Sequence, residues 1–251
     1  MSTQSSKKSL ESNETPRLFS HVVSTISAKT LHQVVKNGYG SRMLYPFDEI
    51  PSVSVMVVNL FYSNPSILPV HGFGYLIPRS IPFVQNPERA LGVVFDSDAT
   101  IGQDDIPGTK VTVMLGGHWW DDWDAFPDEL EGAKMAKAVL LRHLGINAEP
   151  DATRVSLQQN CIPQYTVGHR DRLEQGSRLL ENFKGRLRVA GNSYTGVGLN
   201  DCVRSAREVA RGLFDKEEKT GLQWFFHPTI SVNLADIPTK WRRQGPATEA
   251  N

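Results

Sequence analysis

Cysteine is scarce: Cys161 and Cys202 are the only two in 251 residues, and they lie far apart. That argues against a disulfide framework or a cysteine-held zinc site, and it fits a reducing compartment. Neither sign of charge dominates, because 27 Lys and Arg balance 27 Asp and Glu. The composition therefore gives no electrostatic case for a nucleic-acid partner. No apolar run approaches a membrane span. The nearest, "VSVMVVNLF" (53–61), is strand-sized and interrupted by Ser54 and Asn59. The N-terminal "MSTQSSKKSLESNETPR" has no apolar core and so is not a secretory signal, while Glu11 and Glu14 make it a poor mitochondrial presequence. Residues 1–17 are expected to form a disordered tail. Absent too are a G-x-G-x-x-G dinucleotide fingerprint, a Walker loop, a G-x-S-x-G nucleophile elbow and any H-x-x-x-H pair among the seven histidines.

What is present describes an ordinary globular chain, 39% hydrophobic and 22% charged, long enough for a sizeable core. "HVVSTISAKTLHQVV" (21–35) reads as a strand and then a helix with Leu31, Val34 and Val35 on its apolar face. Residues 37–51, with Gly38, Gly40, Pro46 and Pro51, read as loop or linker. From 53 to 115 the pattern is β-rich, with runs at 53–61, 92–96 and 110–115. A helix is predicted from about Asp128 to Leu144, along the stripe Leu130, Ala133, Lys137, Leu140, Leu141 and Leu144, with Gly145 just beyond. Residues 154–169 read as a strand entering a turn at Pro163, followed by an Arg-rich helical stretch (170–184). The helix after residue 198 should bury Val203, Ala206, Ala210 and Leu213, with Asn200 or Asp201 as its cap.

Chemistry concentrates in "LRVAGNSYTGVGLNDCVRSAREVA" (187–210), a strand, a glycine-studded turn and a helix. Gly191, Gly196 and Gly198 would let the backbone approach a bulky ligand, and the helix start would offer N–H groups and its dipole to a pyrophosphate. The plain alternative is a junction that binds nothing, and spacing alone favours it. "GFGYLIP" (72–78) reads as a tight loop between strands. In "GGHWWDDWD" (116–124), Asp121, Asp122 and Asp124 could ligate a cation. The spacing lacks the glycine and distal glutamate of a calcium loop, which favours an acidic loop with partly buried indoles and no metal site. Cys202 reads as a packed small residue rather than a covalent attachment point.

"AGNSYTGVGLNDC" (190–202) resembles the C-terminal flavin-contacting segment of the protoporphyrinogen oxidases, within the wider flavin amine-oxidase superfamily. "HVVSTISAKTL" (21–31), "LPVHGFGYLIP" (68–78), "LGVVFDS" (91–97), "VTVMLGG" (111–117) and "NCIPQYTVGH" (160–169) are similar to oxidase segments in the same order, so the resemblance covers about residues 20 to 213. It implies an α/β (α+β) fold with a partial FAD-binding domain (18–50 and 161–213), a β-rich substrate domain (51–160) and a C-terminal extension (214–251). The chain would correspond to the C-terminal portion of such an oxidase, without its Rossmann unit. FAD would be held non-covalently, with Gly191, Gly196, Val197 and Asn200 on the flavin side. Phe73, Leu76, Val94 and Met114 would line the tetrapyrrole pocket, although by pattern alone Val94 and Met114 are simply core residues. The implied partners are protoporphyrinogen IX and molecular oxygen, in haem biosynthesis. Catalytic residues and the residue meeting the substrate propionates are unassigned. The resemblance also implies the mitochondrial inner membrane, through peripheral contact, and leaves a homo-oligomer open. Two alternatives stand beside it: an inert or partner-dependent fragment, and another superfamily member oxidising an amine or a carotenoid precursor.

Overall fold

The computed structural model describes residues 17–226, apart from Ser41, Ile101, Gln103, Asp104, Asp122 and Asp124. The expected tail and most of the extension thus lie outside the described residues. In chain order the elements are β1 (Val22–Ser24), α1 (Ala28–Tyr39), β2 (Ser52–Tyr62), β3 (Gly74–Leu76), β4 (Ala90–Val94), α2 (Asp96–Ala99), β5 (Thr109–Gly116), α3 (Glu129–Leu144), β6 (Ala152–Pro163), α4 (His169–Leu180), β7 (Leu187–Val189), α5 (Leu199–Phe214) and α6 (Gln223–Phe226). The α/β organisation expected from the sequence is the one the chain adopts.

Five strands form one antiparallel sheet in the order β3-β4-β5-β2-β6. Its inner face carries Met56, Val58, Leu60, Val93, Val111, Val113 and Leu115, all buried, and α3 packs on that face. Asp128 caps α3 by accepting from the Glu131 amide, and Gly145 ends it in the left-handed conformation. The helix meets the sheet through Gly132, Ala136, Val139 and Leu140, so of the predicted stripe Leu140 is buried and Leu144 packs against the core, whereas Leu130 and Leu141 are 66% and 50% exposed. Close approach decides this, since a Cβ on Gly132 would sit 2.2 Å from Met56 Sδ. Burying Val139 and Leu140 fully contributes about 1.5–3 kcal/mol each.

A second core forms around the parallel pair β1–β7. It gathers Leu31 and Val35 of α1, Leu173 and Leu180 of α4, Leu187 and Val189 of β7, and Tyr194. Val34, placed on the apolar face of α1 by its spacing, is 60% exposed. Residues 37–51 are not a loose linker: α1 runs on to Tyr39, and Leu44 and Phe47 are fully buried in this core. On α5 the buried residues are Ser205, Val209 and Gly212, whereas Val203, Ala206 and Ala210 face outward. The outer edge of β7 is covered by the segment after α5, with the Val189 amide donating to the Thr220 carbonyl. No described strand pairs with the outer edge of β1, where Val22 and Val23 are 48% and 41% exposed.

Candidate functional site

Because β1 and β7 are parallel, their carboxyl ends coincide, and a helix starts from each there. Open parallel sheets take their ligands at this end. Ser27 caps α1, and the Ala28 amide donates to Ser193 Oγ at 3.1 Å, tying the turn after β7 to the start of α1. Gly191 opens that turn at φ +121°, a conformation that L side chains rarely adopt. At Gly196 the constraint is space, because a Cβ would lie 2.3 Å from Asp201 Cγ. Among the described residues, the amides of Val197, Gly198, Leu199 and Asn200 make no hydrogen bond. Gly196, Val197 and Asn200 are thus brought together where the backbone is accessible and offers donors, with Gly191 at the other end of the turn.

The cap differs from the expectation. Gly198 is the N-cap of α5, without a side-chain cap bond, and neither Asn200 nor Asp201 fills that role. Asp201 sits in the first turn, packed under Gly196 and paired with Arg204 at 2.5 Å. Its carboxylate already complements the helix dipole and repels a further anion. The donors at 197–200 remain available to a ligand beside the Asp201–Arg204 pair.

On the sheet, Leu76 lies opposite Gly92, Gly92 opposite Met114, and Met114 opposite Val57. Two residues on, Val94 lies opposite Thr112, and Thr112 opposite Asn59. Residues directly opposite point to the same side. Leu76, Val94 and Met114 therefore share the face turned away from α3, while their neighbours Val93 and Val113 fill the core at 1% and 0% exposure. Leu76 is 78% exposed and lies over Gly92, where a Cβ would come within 3.1 Å of Leu76 Cδ2. Phe73, just before β3, is 74% exposed. The Thr112 hydroxyl adds a polar spot, 2.7 Å from both Asn59 Oδ1 and Asp96 Oδ2.

Other features carry less chemistry. In "GGHWWDDWD" Trp120 is buried and stacks on Trp123, while Asp122 and Asp124 lie outside the described residues. No group of three metal-ligating side chains occurs among the described residues. Cys161 and Cys202 are free thiols, and Ala206, the expected packing neighbour of Cys202, faces outward. A cavity of about 470 Å³ lies at the far end of α5, lined by Arg188, Glu208, Arg211, Glu217, Lys219 and Gln223. Its ion pairs, Arg211–Glu208 and Lys219–Glu217, are satisfied internally, and none of the predicted site residues lines it. Its charged lining is unsuited to a broad apolar ring.

No family model matches the chain. It is 42% identical over 171 residues to a protoporphyrinogen oxidase of Schizosaccharomyces pombe, a match covering 67% of this chain and 34% of that protein. To the human protein of the same name it is 39% identical over 202 residues, covering 78% of this chain and 41% of the relative. Among solved structures it superposes on a candidate protoporphyrinogen oxidase from Exiguobacterium sp. 255-15 with a TM-score of 0.63 at 21% identity, over 78% of this chain and 41% of that one. The last likeness shows the fold. The chain spans between a third and about two fifths of the length of these proteins. Within those bounds, the chain is similar to protoporphyrinogen oxidases over 67–78% of its own length.

Proposed function

We propose that this chain supplies part of a protoporphyrinogen oxidase, an enzyme with non-covalent FAD that converts protoporphyrinogen IX to protoporphyrin IX with molecular oxygen as acceptor. One juxtaposition supports the reading. Leu76, Val94 and Met114 lie on the sheet face that α3 leaves open, and β6 of that sheet runs into the segment packed against the turn 191–198. A reduced tetrapyrrole is broad and mostly apolar, and such a wall suits it. When bound, FAD supplies the redox chemistry as a hydride acceptor. The chain's own residues bind and orient. Gly191 and Gly196 would let the backbone approach the flavin, and the free amides of Val197 and Asn200 would serve as its hydrogen-bond donors. Phe73, Leu76, Val94 and Met114 hold the substrate flat. No acid–base side chain is assigned. Place and pathway follow the family: haem biosynthesis at the mitochondrial inner membrane, by peripheral contact. No helix among the described residues is long and apolar enough to cross a membrane.

A second reading, dependence on a partner chain, is favoured by the unpaired edge of β1 and the outward apolar side of α5. A parallel sheet normally has both faces and its neighbours covered. One experiment separates the two. The purified chain is assayed for visible flavin absorption and for fluorescence gain on adding protoporphyrinogen. It is assayed alone and after mixing with the N-terminal remainder of the Schizosaccharomyces pombe relative. Turnover by the chain alone supports a self-sufficient site, and turnover only on mixing supports partner dependence. Silence in both removes the oxidase assignment.

A further inference from the structure

The segment 161–169 and the turn 191–198 stand far apart in sequence but are fastened together side chain to backbone. Tyr165 Oη donates to the Asn192 carbonyl at 2.5 Å and accepts from the Gly196 amide at 2.8 Å. One hydroxyl therefore bridges both arms of the turn and uses its donor and an acceptor in doing so. The ring beneath is fixed by stacking on His169, with centroids 4.1 Å apart and planes 12° from parallel. His169 Nε2 donates to the Tyr194 carbonyl at 2.8 Å, and because a carbonyl only accepts, that nitrogen carries the proton. Asn192 Nδ2 returns the contact to the Cys161 carbonyl at 3.3 Å. Residues 192, 194 and 196 are thus each held from the same segment. Beyond them the amides of 197–200 stay unused.

We infer that Tyr165 is the positioning residue of this turn. By clamping Asn192 to Gly196 it sets the backbone path that keeps the amides of Val197 to Asn200 turned outward for the cofactor. The functional half of the inference rests on the flavin reading above; the clamp does not. Burial holds the phenol pKa up at about 12, so it stays a donor throughout the neutral range. The stacked ring makes phenylalanine a close replacement in shape, and only the bridge is removed.

The test is amide hydrogen exchange on the full chain mixed with the N-terminal remainder of the Schizosaccharomyces pombe relative, wild type against Tyr165→Phe, with and without added FAD. Tyr45→Phe serves as the control, since it removes a surface phenol bond to Gln175 elsewhere. Tyr165→Phe is expected to speed exchange of the Gly196 amide roughly tenfold, the scale of one lost hydrogen bond, and to raise the half-saturating FAD concentration by a similar factor. The thermal midpoint should stay near that of Tyr45→Phe. Unchanged Gly196 exchange in Tyr165→Phe overturns the clamp. Faster exchange with unchanged FAD affinity overturns the positioning role. If FAD protects no part of 191–200 in the wild type, the flavin reading fails, and the Gly196 result alone decides the clamp.

Discussion

A methyl group at position 196 would sit 2.3 Å from Asp201 Cγ, so Gly196→Ala must push the start of α5 outward. Overpacking of this kind costs about 1–3 kcal/mol. If the flavin meets this turn, FAD affinity should fall at least about fivefold, by titration of flavin fluorescence. At Gly198 the same methyl would be 3.3 Å from Asp201 Oδ2, and Gly198→Ala should cost less. Acid sensitivity is also set residue by residue. Burial is the main cause lowering the pKa values of His118, His143 and His169 below the usual 6.5. Arg79 adds to it at His118, Arg142 at His143 and Arg172 at His169; Asp121, Glu88 and the Tyr194 carbonyl oppose it in turn. The folded state then binds fewer protons than the unfolded state. Stability is full above about pH 6.5 and declines as pH falls toward the folded values. The thermal midpoint should drop on acidification, and His143→Gln should flatten that slope; a midpoint that rises in acid contradicts this. Residue-level facing was legible where polar residues mark the alternation. Lys110 and Thr112 alternate with Val111, Val113 and Leu115 and mark the outer face, but Met114, apolar itself, reads by pattern as core and only the register turns it outward. In "GVVFD" there is no such marker, and Val93 and Val94 could be told apart only by register.

At the scale of elements, the existence and order of the main strands and helices followed from periodicity, while the rotation of two helices did not. Size misled the assignment. Of the Leu-rich stripe of α3, Leu140 is buried but Leu130 and Leu141 are exposed, because the sheet takes the smaller Gly132 and Ala136, which allow close packing. Leu140→Ala should therefore cost about 2–5 kcal/mol in urea denaturation, whereas Leu141→Ala, half exposed, should cost under about 0.5 kcal/mol. Comparable losses at the two positions would mean that α3 is rotated. On α5 the apolar spacing of Val203, Ala206 and Ala210 is real, but among the described residues these three face outward. Val209→Ala should destabilise the chain measurably, and Val203→Ala should do so only when a partner chain covers that side. The clamp at Tyr165 was not legible at all, because it joins residues about 30 positions apart and carries no local pattern.

For the whole molecule, β6 belongs to the sheet of one apolar core, and its end at Cys161 is bonded to the turn that borders the other. Resemblance points to the turn and to the sheet face as two halves of a site; composition and spacing alone point to neither. The central claim is that the turn 191–198 and the outer sheet face together receive the cofactor and its substrate. Amide exchange of the chain, mixed with the N-terminal remainder of a relative and saturated with FAD, tests it most directly. The account expects protection at 191–200, extending to Leu76, Val94 and Met114 once protoporphyrin is added. Protection confined to the cavity around Arg188, Glu208 and Gln223, or absent from both places, would contradict it.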